Sequence, residues 1–307
     1  MRGQARVPIK TLLAAVLVTA CGRTHAQDME PRAYSNSPTG LNFAIAGYAY
    51  SEGDILTDPA LPIEDVTIEY HTGIFALATT LDVLDKSAKL DMILSYSSLD
   101  ATGLVAGVER GRLVSGFSDP LFRFSINFIG APALTMEEFA SYKQDWIVGA
   151  SLRVGMPLGH YDEDKLINLG SNRWSLRPEI GVSKAFGRWT AELAPGVTFY
   201  TDNGDFLNGR TREQAPLFAT QASLSYVFAP SLWMSVSGSY FVGGRSTVDG
   251  KENNDEQEGG RLGLTVVFPV NRHNSVKLFA LRGFAPNFDS NLDVIGLAWQ
   301  YRWGGGF

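Results

Sequence analysis

The chain has 307 residues, 45% of them hydrophobic and 19% charged, with a net charge of −6 and one cysteine. An acidic balance lacks the basic footprint that nucleic-acid binding needs, and a lone cysteine leaves no internal disulfide to hold a fold together. The length admits two soluble domains or one large all-β domain.

Residues 1–26 begin with Arg2, Arg6 and Lys10, continue through an apolar run from Leu12 to Ala20, and end on small residues. This is the pattern of a secretory signal, too short to span a bilayer. Cleavage after Ala26 is expected, which leaves residues 27–307 as one mature domain. A competing reading takes "VTAC" as a lipoprotein box with Cys21 lipidated. Cleavage after Ala26 removes Arg2, Arg6, Lys10 and Arg23 and no acid. The mature chain then keeps 22 basic residues (26 less these four) against 32 acidic ones, a net of −10. No later stretch reaches the roughly 18 consecutive apolar residues of a membrane helix.

Apolar and polar residues instead alternate with the period of a β-strand. In "PLFRFSINFIG", Phe122, Phe124, Ile126 and Phe128 share one face, with Arg123, Ser125 and Asn127 on the other. Twelve such runs are predicted: 40–50, 64–83, 88–99, 118–130, 144–156, 175–186, 188–201, 215–228, 231–243, 259–270, 275–285 and 292–304. The second alternates least cleanly. Tight links such as "LDKS", "FG", "AP" and "NRHN" take turns with longer polar ones. After the fourth run, "TMEEFASYK" predicts a short helix near 135–143 with a Thr135/Glu138 capping box. Runs of about ten residues, even in number, with short turns on one side and long loops on the other, predict a transmembrane antiparallel β-barrel of about 12 strands. A soluble sandwich would have to bury all twelve apolar rows. The last run ends in "WQYRWGGGF", where Trp299, Tyr301, Trp303 and Phe307 share one parity. On a lipid-facing strand these aromatics belong at the membrane interface, and the terminal Phe307 resembles the aromatic that outer-membrane barrels present to their assembly machinery.

With the apolar rows facing lipid, parity sends a mixed set of charges to the lumen. The pore-lining candidates are Asp91, Arg123, Asn127, Asp145, Arg153 and Arg177, followed by Glu179, Glu192, Gln221, Arg261, Lys277, Gln300 and Arg302. They read either as a conduit whose charge pairs set selectivity, or as structural pairs that avoid burying lone charge. Twelve strands stand between barrels that fill their own interior and those that leave a wide channel.

"PRAYSNSPTGLNFAIAGYAYSEGD", "YKQDWIVGASLRVGMPLGHYDEDKLINLGSNRWSLRPEIGVSKAFG", "VTFYTDNGDFLNGRTREQAPLF", "YFVGGRSTVDG" and "IGLAWQYRWGGG" carry a family resemblance. They are similar to the outer-membrane transporter family labelled for the meta-cleavage pathway of phenol degradation, over essentially all of the chain after Pro31. The resemblance implies a Gram-negative outer-membrane barrel that takes up aromatic or other hydrophobic compounds, and it brings no catalytic residues.

The remaining constellations point to no cofactor, metal or catalytic set. "DGKENNDEQE" is a charge run of the kind that is usually a solvated loop, the alternative being divalent cations held near lipopolysaccharide. Asp202, Asn203 and Asp205 lack the spacing of a calcium loop. His71, His160 and His273 have no serine motif fixing a base beside a nucleophile, so the third reading, a lipid-modifying enzyme, stands behind a transport barrel and an occluded structural or receptor barrel. The expected partners are outer-membrane lipid and lipopolysaccharide, the barrel assembly machinery and a small hydrophobic solute.

Overall fold

The computed structural model describes residues 30–55, 63–105, 108–165, 167–284 and 292–306. The signal segment, Cys21 and Phe307 lie outside the described residues. In chain order the elements are β1 (Leu41–Ile55), β2 (Ile63–Val83), β3 (Lys86–Val105), β4 (Val108–Phe117), β5 (Leu121–Ile129), α1 (Met136–Phe139), β6 (Trp146–Gly155), β7 (Ser175–Phe186) and β8 (Trp189–Tyr200). They continue with β9 (Asn203–Phe206), β10 (Arg210–Gln214), β11 (Leu217–Ala229), β12 (Leu232–Gly243), β13 (Ser246–Val248), β14 (Lys251–Glu252), β15 (Gln257–Pro269), β16 (Asn274–Phe284) and β17 (Leu292–Gly304).

Every wall strand pairs antiparallel with its neighbours, and β1 pairs with both β2 and β17, so the sheet closes on itself. Closure removes the unpaired edges that hydrocarbon cannot satisfy. β3 pairs with β4 along Tyr96–Val105 and with β5 along Ala88–Ile93. The two pieces occupy one wall position, interrupted at Ser118–Asp119–Pro120, where proline offers no ladder donor. The barrel is therefore 12-stranded, as the alternation predicts.

β4 has no counterpart among the predicted runs. Val108, Arg110, Arg112 and Val114 fall on its inner face and Glu109, Leu113 and Ser115 on its outer one, so neither row is uniformly apolar. At 21 and 20 residues, β2 and β3 are about twice the roughly 9–11 that a tilted strand needs to cross. The β1–β4 side thus stands above the hydrocarbon, where alternation loses its cause. β9, β10, β13 and β14 form a second, four-stranded sheet from the two long links after β8 and β12. It has its own small core in Phe206, with the Arg212 guanidinium 5.4 Å from its ring centroid.

The opposite end is closed by tight turns. Leu84 and Asp85 both take left-handed φ values (54° and 58°) in the two-residue β2–β3 turn, and the Asp82 carboxylate accepts the Asp85 N–H at 3.0 Å. The helix is shorter than 135–143, but its capping box is present. Thr135 Oγ1 accepts from Glu138 N–H, and the Glu138 carboxylate accepts from Thr135 N–H at 2.8 Å. Those bonds hold the Glu138 carboxyl below the usual carboxylate range.

Large apolar side chains form the outer face. Phe75, Phe124, Leu152, Ile180, Leu193 and Val236 are all exposed, one or more per strand around the ring. A contiguous apolar girdle of this kind suits lipid rather than water. At the tight-turn end, Trp299 stacks on Tyr301 and Tyr301 on Trp303, while Trp189, Tyr226 and Phe228 make edge-to-face pairs across β8 and β11. Rings with one apolar body and one polar atom collect at such interfaces.

Candidate functional site: the plugged lumen

The segment 30–40, which precedes β1, runs inside the barrel. Its side-chain bonds identify the inward parity of β3, β5, β7, β8 and β11. Lys89 Nζ (β3) donates to the carbonyls of Ala33 and Ser35 at 3.0 and 3.2 Å. Asn127 Nδ2 (β5) donates to the Tyr34 carbonyl, and Gln221 Nε2 (β11) to that of Glu30. The Tyr34 hydroxyl donates to Glu179 Oε1 (β7) at 2.9 Å, and Ser35 Oγ to Glu192 Oε1 (β8). Nearer the tight-turn end, Thr39 N–H donates to Leu134 O and Gly40 N–H to Thr80 O.

Tyr34 is the central anchor, 2% exposed. Its ring lies against Gly149 and Gly181, which face each other across β6 and β7. A Cβ on either glycine would intrude on the ring. Two glycines in one cross-strand pair make a slot one ring wide.

Charge is arranged around this anchor. Arg123 (β5) donates through Nε to Asp91 Oδ2 (β3) at 2.7 Å and through Nη2 to Glu30 Oε2 of the plug at 2.5 Å. Arg177 pairs with Glu179 at 3.2 Å on β7. A narrow cleft with room for about one water molecule remains between plug and wall, bordered by Glu30, Tyr34, Arg123, Arg153, Glu179 and Glu192. Arg32 of the plug sits 5.5 Å from the Trp233 ring centroid on the far side.

Of the residues singled out from parity, Asp91, Arg123, Asn127, Arg153, Glu179, Glu192 and Gln221 gather at the plug, and Arg177 is buried beside Glu179 on β7. Arg261 is buried on the inner row of β15, and Lys277 lies inward on β16 with its Nζ 5.9 Å from the Phe279 ring centroid. Two expectations are corrected. Asp145 precedes β6, is exposed at the rim, and pairs there with Lys184, so the inward parity it shares does not bring it into the lumen. Arg302 binds the Arg272 carbonyl through Nε at 2.6 Å and clasps the β15–β16 turn, because its strand has reached the rim at that height. Glu30, Arg32, Tyr34, Ser35 and Lys89 were not among the candidates. Lys89 shares the parity of Asp91; the plug residues belong to no strand and carry no periodic signal.

The lumen is also less uniformly polar than parity suggests. On β1, β2, β16 and β17 the inward row includes Ala49, Ile74, Phe279, Leu281 and Val294, which pack together. Above them, Val66, Ile68, Tyr70, Leu99, Ala101 and Val114 form a second apolar cluster, completed by Leu169 from the long link after β6. Leu292 packs against both clusters, so the strip is continuous along this side. The 156–174 link is held in place by the Asp119 carboxylate, which accepts from Gly159 N–H and from Ser171 N–H and Oγ, and by Arg112 Nε donating to Ile167 O.

The loop acids have local work. Asp255 accepts from Ser246 N–H and Oγ, Glu256 pairs with Arg245, and Asp249 accepts from Thr211 N–H. Among the described residues no group of three or more His, Cys, Asp or Glu is poised for a metal ion. His71 Nδ1 lies 2.6 Å from the Tyr48 hydroxyl on the outer face, and His273 Nδ1 is 3.1 Å from the Arg302 carbonyl at the rim.

The barrel is similar to the crystal structure of the COG4313 outer membrane channel from Pseudomonas putida F1, with a TM-score of 0.75 and 20% identity over 90% of this chain and 100% of that one. At that identity the likeness establishes the fold. The transport unit of the autotransporter AIDA-I from Escherichia coli is more distant, with a TM-score of 0.49 and 9% identity over 89% of this chain and 92% of that one. No curated protein matches. The family described as "Putative MetA-pathway of phenol degradation" matches residues 41–287, most of the barrel wall, and the chain belongs to that family.

Proposed function

We propose that the chain is an outer-membrane channel through which small hydrophobic or aromatic compounds diffuse passively, exported by the signal segment 1–26 and embedded among lipid and lipopolysaccharide. The observation that carries this reading is the apolar strip inside the barrel, joined through Leu292. A conduit for water and ions gains nothing from burying Phe279, Leu281, Val294 and Ile68 on an inner wall. A hydrophobic solute does, because it exchanges water for apolar surface at about 25 cal/mol per Å². The family's description and the channel from Pseudomonas putida F1 support the same direction.

The charged wall, in this reading, seats the plug and sets what passes beside it. The second reading is a barrel whose lumen stays occluded and whose loops act as a receptor; it is favoured by the number of bonds the plug makes. We infer no enzymatic role. The test is uptake of radiolabelled phenol by intact cells carrying or lacking the gene. Uptake several-fold faster with the protein supports the channel. Equal rates, with the barrel folded in the outer membrane, support the occluded reading.

A further inference from the structure

We propose that Glu30 is a built-in stand-in for a substrate carboxylate. The lumen would then accept anionic amphiphiles, a carboxylate on an aromatic or aliphatic body, by exchanging them for the plug's own acid on Arg123. The inference rests on the channel reading and names the solute class within it.

The first observation is the asymmetry of Arg123's two partners. Asp91 belongs to the wall and its side chain is 11% exposed; Glu30 belongs to the plug and is 47% exposed. One carboxylate is packed into the wall and the other is presented by the plug, half exposed. The Glu30 oxygen approaches to 2.5 Å, and Lys89 and Lys277 also act on it electrostatically. Arg123 on β5 is the cation bonded to this acid, with Lys89 held nearby on the carbonyls of Ala33 and Ser35.

The second observation is the balance of the wall itself. Its inward row carries Lys89, Arg123, Arg153, Arg177 and Lys277 at this level. Among the described residues, Asp91, Glu179 and Glu192 are the wall acids on this row. Cations therefore outnumber acids on these described wall positions, although the whole chain is acidic at −6. When Glu30 leaves, Arg123 keeps one of its two carboxylates. Uncompensated charge in a narrow, poorly solvated lumen is costly. An entering carboxylate removes that cost at the same atoms, whereas a neutral aromatic does not. An amine would need a carboxylate to replace, and Glu179 and Glu192 already accept from Tyr34, Arg177 and Ser35.

The third observation is where the ligand's body would go. Lys277 and Phe279 are neighbours on the inner row of β16. From Phe279 the apolar strip continues through Leu281, Val294 and Ala49. A carboxylate held between Arg123 and Lys277 would lay its hydrocarbon on that strip.

Calorimetry on the full mature protein in detergent tests this with benzoate and its uncharged counterpart, benzyl alcohol. Benzoate is expected to bind about tenfold or more tightly than benzyl alcohol, the equivalent of one charge-assisted hydrogen bond. E30Q weakens the internal competitor and should tighten benzoate about fivefold while leaving benzyl alcohol unchanged. The D91N R123Q pair, which removes the guanidinium together with its wall carboxylate, should lose the preference for benzoate. Folding is checked by heat-modifiable migration, and if the double variant does not fold the E30Q arm decides. Equal binding of the two probes by the natural protein, unchanged benzoate affinity in E30Q, or a preference surviving in folded D91N R123Q would each overturn the proposal. Uptake of the same probes by intact cells separates the two readings. Uptake of benzyl alcohol without any preference for benzoate sinks the inference and leaves the channel. Exchange of benzoate for Glu30 without uptake of either probe leaves the inference and sinks the channel.

Discussion

Replacing Tyr34 with alanine should unseat the plug and open the barrel. The side chain is 2% exposed, its ring fills the slot between Gly149 and Gly181, and its hydroxyl donates to Glu179 at 2.9 Å. Truncating a buried aromatic costs about 3–5 kcal/mol, and loss of a hydrogen bond to a charged group accounts for roughly 1.5–3 kcal/mol. The two overlap, so about 4 kcal/mol is a fair figure for the weakened docking, enough to raise the undocked population roughly a thousandfold. Y34F separates the parts: it keeps the ring, and Glu179 retains Arg177, so the effect should be the smaller share. G181A attacks from the other side, because its new Cβ would collide with the ring while every plug contact remains in the sequence. The assay is single-channel conductance in planar bilayers. Y34A and G181A should each raise open probability or conductance, and the double variant should add little, since both remove one interaction. Unchanged conductance in folded Y34A would refute the claim that this anchor holds the lumen closed. Full additivity would show that the ring and the slot act independently.

Phe124→Arg or Leu264→Arg should impair insertion, because both side chains are exposed on the outer face and a cation near mid-depth costs roughly 2–4 kcal/mol; the fraction of heat-modifiable, folded protein measures it. R123Q R153Q should move the reversal potential in a salt gradient toward cation selectivity, since two of the inward cations are gone while the wall acids stay. Removing residues 251–256 should leave that potential unchanged, because β14 belongs to the separate four-stranded sheet and the deletion stops short of the wall strand β15; a large shift would show that the loop controls entry. Mass spectrometry of the exported protein is expected to give Gln27 as its first residue, and a diacylglyceryl group on Cys21 would establish the lipoprotein reading instead.

The wall was legible in the sequence because its physics is local and repetitive. Each of the twelve runs faces lipid on one side, so the demand for alternation acts at every strand, and the tight turns recur at one end. "PLFRFSINFIG" shows it completely: Phe122, Phe124 and Phe128 meet hydrocarbon while Arg123 and Asn127 meet the plug. Where the cause stops, the signal stops. β4 rises beyond the hydrocarbon and reads as no strand, and β9, β10, β13 and β14 pair only with one another.

The contents of the lumen follow a different rule, and this limits what parity can say. Parity tells which way a side chain points but not what it meets there. Asp145 has the inward parity and meets solvent, Arg302 has it and meets a turn, and Phe279 has it and meets Val294 rather than water. What meets the inner wall at mid-height is the aperiodic segment 30–38, and its imprint on the sequence lies on the strands and not in itself. Gly149 and Gly181 are the clearest trace, since a cross-strand pair of glycines on the inward row leaves a space that something must fill. Lys89 is the second trace: an inward cation with no carboxylate directly opposite, which instead holds the carbonyls of Ala33 and Ser35. A barrel sequence with small inward residues aligned across two strands, and inward cations in excess of inward acids, therefore specifies a guest. In this chain the guest is its own N-terminal segment, seated by Tyr34 and neutralised by Glu30. The bonds that keep it there are the ones a competing carboxylate would have to replace.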